Sequence, residues 1–212
     1  MGILKAFFNN TRKPKGLLGR CMVGSMNRAH AALADWGLSY LPETGPTEIA
    51  ELGCGGGRNI RGLLRKYPAA TVTALDYSEI SVEKAKSVNR KGLQASRCRI
   101  IQGDVSCLPF EHGAFDLVTA FETVYFRPDM LQSFKEVYRV LKSGGTFLIC
   151  NKCSGDNAED EKWTEKVSGM IFYKDVQLKA ILEQTGFRDI QIHKNEKGWL
   201  CILVQKQQYD AE

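Results

Sequence analysis

From about residue 46 to 206, short apolar runs alternate with stretches whose apolar residues recur three or four positions apart. The runs at 47–52, 71–75, 97–101, 115–121, 145–151, 189–193 and 200–206 read as seven strands, because β-branched and aromatic residues concentrate there between turn-forming clusters. The intervening stretches read as helices. In one of them Met130, Leu131, Phe134, Val137, Tyr138 and Leu141 form a single apolar stripe before the stop signal Ser143-Gly144-Gly145. Alternation of this kind predicts an α/β three-layer sandwich, a mostly parallel sheet covered by helices on both faces. The last helix, 175–184, runs into Thr185-Gly186-Phe187, and two strands follow with no helix between them. Such a pair must be antiparallel, a hairpin at the sheet edge, with Gly198 before Trp199 suited to its turn.

Length bounds the picture: 212 residues with six prolines can bury one sizeable core and hardly two. The longest apolar runs, at 146–150 and 199–204, are far short of the roughly 20 residues a membrane-spanning helix needs. The stretch 3–8 is too short for a secretory core and is followed by polar residues. Seven cysteines, an odd number in a chain with room for a core, do not read as a disulfide framework, so a reduced cytoplasmic setting is expected. The net charge of +5 is uneven. Lys5, Arg12, Lys13, Lys15, Arg20 and Arg28 give the first 34 residues +6 with no acid, and the rest sums to −1. A basic arm can contact phosphate or anionic lipid, although dispersed charge on a solvated segment is the commoner explanation. The chain accordingly divides into a basic helical cover segment, 1–45, and one globular unit, 46–212.

The most informative stretch is Ile49-Ala50-Glu51-Leu52-Gly53-Cys54-Gly55-Gly56-Gly57-Arg58-Asn59. An apolar run ends in an acid, and glycines then carry the backbone through a turn into a helix start, whose unpaired N–H groups face a ligand. The register excludes a dinucleotide fingerprint, since G-x-G-x-x-G read from Gly53 meets Arg58 and read from Gly55 meets Ile60. No Gly-Lys-Ser/Thr follows, so it is not a P-loop either. What fits is E-x-G-x-G-x-G, Glu51 to Gly57. This resembles motif I of the class I S-adenosylmethionine-dependent methyltransferases, and the resemblance extends from about 46 to 206, terminal hairpin included.

In an open parallel sheet a ligand lies beyond the carboxyl ends of the strands. Asp76 follows the second strand, nineteen residues beyond Gly57, where an acid can accept from both ribose hydroxyls; Ser78 is better placed than Asp76 to cap the next helix. The third strand ends in Gln102-Gly103-Asp104-Val105, then Leu108-Pro109-Phe110. The resemblance implies that Asp104 accepts from the adenine amino group, that the Val105 N–H meets a ring nitrogen, and that Leu108 and Phe110 supply an apolar wall. It further implies that Glu51 orients the methionine amino group, directly or through water, while Gly53, Cys54, Gly55, Gly57, Tyr77 and Phe121 surround the cofactor. The cofactor the resemblance implies is S-adenosyl-L-methionine, with S-adenosyl-L-homocysteine as product.

A sulfonium methyl is already electrophilic, so alignment of an acceptor can suffice and the lack of an obvious triad excludes nothing. The fourth strand ends at Phe121-Glu122-Thr123-Val124-Tyr125-Phe126-Arg127-Pro128, which in the resembling fold borders the methyl. Phe121, Glu122 and Tyr125 are the acceptor-side candidates there, with core packing an equal alternative for the aromatics. The Asn/Asp-Pro-Pro-aromatic tetrad of nucleic-acid amino methyltransferases is absent from this position. Met22, Met26, His30 and Leu33 form a helical stripe ahead of Trp36, so His30 and Asn27 are candidates in a cover over the acceptor, against the simpler reading of His30 as a packed residue. Residues 154–172, containing Trp163, are a second candidate lid. Cys150-Asn151-Lys152-Cys153 is a lone C-x-x-C with no second pair at zinc-finger spacing, and neither Cys98 and Cys107 nor the scattered histidines complete it, so no metal is expected. His112 and His193 read as surface residues. The expectation is therefore a methyltransferase for a small-molecule acceptor, similar to the ubiquinone/menaquinone-pathway group. The alternatives are methylation of RNA or protein through the basic arm, and a cofactor-binding protein without turnover.

Overall fold

The structure, a computed structural model, describes residues 14, 16–43, 45–127, 129–156, 158–167 and 169–208. Lys5, Arg12, Lys13 and Lys15 of the basic arm lie outside these residues. Seven strands form one sheet: β1 Glu48–Leu52, β2 Thr71–Asp76, β3 Cys98–Gln102, β4 Phe115–Phe121, β5 Leu141–Asn151, β6 Phe187–Lys194 and β7 Leu200–Lys206. Their order is β3-β2-β1-β4-β5-β7-β6. The first five are parallel, and β7 inserts antiparallel between β5 and β6, so the terminal hairpin closes one edge. Strand order reverses between β1 and β4, which opens a crevice at the carboxyl ends of those strands.

Helices α1 Gly16–Ala29 and α2 Ala31–Ser39 precede the sheet; α3 Arg58–Lys66, α4 Glu79–Val88 and α5 Arg90–Gln94 lie among the first three strands. A 3₁₀ turn, Val124–Phe126, and α6 Met130–Val140 follow β4, and α7 Ala158–Lys166 and α8 Asp175–Thr185 follow β5. Local chemistry sets several of these limits. Ser78 and Asp129 accept from the N–H of Ser81 and Gln132 and so start α4 and α6. Gly186, at φ +107, ends α8.

The sheet divides the apolar residues into two cores. One holds Phe134, Phe147, Phe187, Leu178 and Leu182 under α6 and α8. The other holds Leu33, Leu38, Ile60, Leu63 and Val82 under α2, α3 and α4. On that second face α2 comes unusually close to the sheet, because a Cβ built on Gly37 would sit 2.7 Å from Cys150 Sγ and 2.9 Å from a Phe121 ring carbon.

The sequence pattern and the fold differ at the end of α6. The apolar stripe suggests a helix to the Ser143-Gly144-Gly145 signal, but α6 stops at Val140. Leu141 is already extended (φ −73, ψ 139) and pairs with Phe115, and a register shift between Phe115 and Leu117 accommodates the early start of β5. A buried leucine serves the sheet as readily as the helix, so periodicity alone cannot place the boundary. His193 differs as well. It stacks on the Tyr40 ring, with centroids 4.0 Å apart, instead of standing free on the edge strand.

Candidate active site

The crevice at the switch point is a cavity of about 530 Å³. Its floor is the glycine loop after β1. The N–H groups of Gly53 and Cys54 donate to Leu75 O at 2.7 and 3.0 Å, which folds the loop back over β2. Gly53 and Gly55 have φ of +72 and +48, the left-handed region that glycine adopts without strain. A Cβ on Gly55 would meet nothing within 4 Å, so the loop backbone lies open to a ligand there. A Cβ on Gly53 would lie 2.3 Å from Thr123 Cγ2, which lets the β1 and β4 loops touch.

Asp76 stands at the end of β2, and its carboxylate is held by two backbone donors, Gly55 N–H at 2.8 Å and Ser78 N–H at 2.9 Å. Burial raises its pKa, and those donors oppose the rise. Tyr77, Asp104, Val105 and Phe121 line the same cavity, as do Cys54 and Asn59. Asp104 is held below its ordinary pKa, chiefly by the N–H and hydroxyl of Ser106, at 2.8 and 2.7 Å.

Several of the expected residues do not line this cavity. Glu51 does not line the cavity. It is wholly buried opposite Thr119 in the β1–β4 register, takes a hydrogen bond from the Thr119 hydroxyl and another from Asn59 Nδ2 at 3.2 Å, and burial pushes its pKa up to about 8. Asn59 is thus the group between Glu51 and the cavity. Gly57 likewise faces away from it; a Cβ there would press on Ala85 and Asn89 at 2.8 and 2.6 Å, so this glycine serves the approach of α4. Leu108 and Phe110 pack into the core, the latter edge-on to Phe115, and neither reaches the cavity.

The acceptor-side candidates converge. Glu122 has φ +59, a rare backbone conformation for a side chain other than glycine, and it follows β4 directly. Its Oε1 accepts from Lys152 N–H and from the Tyr125 hydroxyl at 3.0 Å, and its Oε2 lies 3.6 Å from His30 Nε2. His30 reaches it from the junction of α1 and α2, more than ninety positions away in sequence. Tyr125 lines the cavity too, and its hydroxyl is engaged between Glu122, Cys153 O at 3.2 Å and Cys153 N–H at 2.8 Å. Burial first, then the charge of Glu122, pushes its pKa well up.

Helix α1 covers one side through Met22, Val23, Met26 and Asn27, with His30 just beyond its end, and Asn27 Nδ2 donates to Gly56 O at 3.0 Å. Trp163, Val167 and Met170, from the stretch after β5, close the other side. Cys150 and Cys153 diverge: Cys150 packs against α2, while Cys153 faces the cavity. Thr123, Asn59, Lys152 and Arg127 also line it and carried no role in the sequence reading. Only the position of Thr123 and Arg127 after β4, and of Asn59 as the second residue of α3, signalled them.

A seven-stranded sheet of this order, with the ligand crevice at the β1–β4 switch point, defines the class I methyltransferase fold. Residues 50–149 match the family model described as Methyltransferase domain, and this part of the chain belongs to that family. Among relatives, the cycloartenol-C-24-methyltransferase of Arabidopsis thaliana is 30% identical over 152 residues, 68% of this chain and 45% of its own. The chloroplastic 2-methyl-6-phytyl-1,4-hydroquinone methyltransferase of Spinacia oleracea is 29% identical over 71% of this chain and 42% of its own. The chain thus spans less than half the length of these relatives. Among solved structures, a chain of the Haloferax volcanii complex between the Trm112 methyltransferase activator and a methyltransferase superposes with a TM-score of 0.82 at 19% identity, covering 91% of this chain and 96% of that one. Geranyl diphosphate C-methyltransferase from Streptomyces coelicolor gives 0.72 at 15% identity over 84% and 77%.

Proposed function

We propose that this protein transfers the methyl group of S-adenosylmethionine to an apolar small-molecule acceptor. The observation that carries this reading is one cavity lined by two unlike sets of groups, the glycine loop with the Asp76 carboxylate and the Glu122–His30 pair. The chain fits the cofactor: the open backbone at Gly55 admits close approach, Asp76 is a fixed acceptor for ribose hydroxyls, and Asp104 and Val105 stand where an adenine edge would be read. When bound, the cofactor supplies an electrophilic methyl on a sulfonium.

The remaining work belongs to the chain. Apolar side chains from α1 and from 163–170 exclude water and hold the acceptor against the β4 loop. His30 takes the proton of an acceptor that must lose one, and Glu122 supplies the opposite charge for the imidazolium that forms. Tyr125 and the Lys152 N–H hold the Glu122 carboxylate in place. The sterol and hydroquinone acceptors in the names of the relatives support an apolar acceptor for this chain. All seven cysteines are free thiols, which supports a reducing compartment such as the cytoplasm. No described helix is long and apolar enough to cross a membrane.

The test is label transfer from methyl-labelled cofactor to a panel of quinols, phenols, sterols and polyprenyl compounds, with RNA and protein as parallel arms. Label in one of the small-molecule arms is the expected outcome. Cofactor binding with label only in RNA or protein would overturn the acceptor class, and failure to bind S-adenosylhomocysteine would overturn the whole reading.

A further inference from the structure

Arg127 is 1% exposed and lines the cavity, yet it lacks what a buried guanidinium needs. Its Nη2 makes one long hydrogen bond to Thr123 Oγ1 at 3.4 Å, and Nε and Nη1 have no partner. The Phe134 ring lies beneath it, 5.9 Å away, and supplies no lone pair. The carboxylate whose charge it feels is Asp104, but that group is taken up by Ser106. The other acids of the cavity are occupied as well, Asp76 by backbone N–H groups and Glu122 by Lys152 N–H, Tyr125 and His30. The other arginine there, Arg58, pairs with Asp35 at 2.7 Å. Burial lowers the Arg127 pKa only to about 10, so the charge remains at neutral pH. A guanidinium has five N–H donors in a planar fork that matches a carboxylate or phosphate, and a buried cation without a partner is costly.

We propose that Arg127 receives an acidic head group, carboxylate or phosphate, on an otherwise apolar methyl acceptor. This inference rests on the acceptor-binding reading above and specifies the substrate class, an amphiphile with one anionic end. Arg127 here is a specificity residue, distinct from the pair that handles the proton.

The experiment compares octanoate, octyl phosphate and octanol by calorimetry on protein saturated with S-adenosylhomocysteine, for the wild type, Arg127→Lys and Arg127→Met. The expected result is that octanoate or octyl phosphate binds the wild type at least tenfold tighter than octanol. Arg127→Lys keeps part of that preference and Arg127→Met abolishes it, with cofactor affinity within twofold throughout. Thermal unfolding of the ligand-free proteins provides a second measurement: Arg127→Met unfolds no lower than wild type, since it removes a buried charge without a partner. Equal binding of all three probes to the wild type, persistence of the preference in Arg127→Met, or a tenfold loss of cofactor affinity in that variant would each overturn the proposal. Anion preference without label transfer to any acceptor would leave this site standing while the methyl-transfer reading failed.

Discussion

Glu51 and Thr119 face each other across two parallel strands, and this places a carboxyl group where water cannot reach it. The folded protein therefore holds a proton that the unfolded chain releases between the ordinary pKa of 4.5 and the folded value of about 8. The stability contributed by the neutral form is complete below the lower value and is lost as pH rises through the upper one. We predict that the unfolding free energy of the wild type falls across this window and that Glu51→Gln flattens the profile, as denaturant titrations at several pH values would show. A cofactor ammonium near Asn59 would favour the carboxylate, so binding should release a proton at neutral pH. Calorimetry in two buffers of different ionisation enthalpy measures that release, and Glu51→Gln should show none. At the neighbouring strand end, Asp76→Ala should weaken S-adenosylhomocysteine binding at least tenfold, about 1.4 kcal/mol. His30→Gln should lower methyl transfer by about 10²–10⁴-fold for an acceptor that loses a proton, with cofactor affinity unchanged in the same calorimeter.

At the scale of elements, the contact of α2 with the sheet depends on the missing side chain of Gly37, since its Cβ would overlap both Cys150 and Phe121. Gly37→Ala should destabilise the protein by about 1–3 kcal/mol in denaturant unfolding and displace the base of the cover. The elements themselves were legible in the sequence. Parallel strands buried on both faces read as continuous apolar runs, and Gly, Ser and Asp punctuate them. The end of α6 was not legible, because Leu141 satisfies the helical stripe and the strand equally well and only its pairing with Phe115 decides. The strand ends that carry Asp76, Asp104 and Glu122 could be placed for the same reason that the sheet could. Which way Leu108, Gly57 and Glu51 face could not, since that depends on neighbours 28 to 68 positions away, as in the contact of Leu108 with Glu136 and of Glu51 with Thr119.

Among the described residues most of the candidate site groups line one cavity at the sheet's carboxyl edge, and the thiols report on the packing around it. Cys21 and Cys107 are exposed and the other five are buried. A thiol reagent should therefore modify two groups rapidly in the native protein and all seven after denaturation. Five fast thiols in the native state would contradict this packing. Arg127 shows the limit of sequence reading at this scale. Its place after β4 was visible, but its lack of partners is a property of everything folded around it.

The hydrogen bond from Asn27 to Gly56 ties the covering helix to the loop beneath it, and Gly56 permits this because a Cβ would collide with the Asn27 amide at 2.3 Å. Together with the Arg20–Glu83 pair at 3.1 Å, this bond holds the helix over the proposed cofactor site. On the proposed reading, we predict that the nucleoside binds before the acceptor and leaves after it. Product-inhibition patterns should therefore be those of an ordered mechanism, and Asn27→Ala should accelerate nucleoside exchange and relax that order.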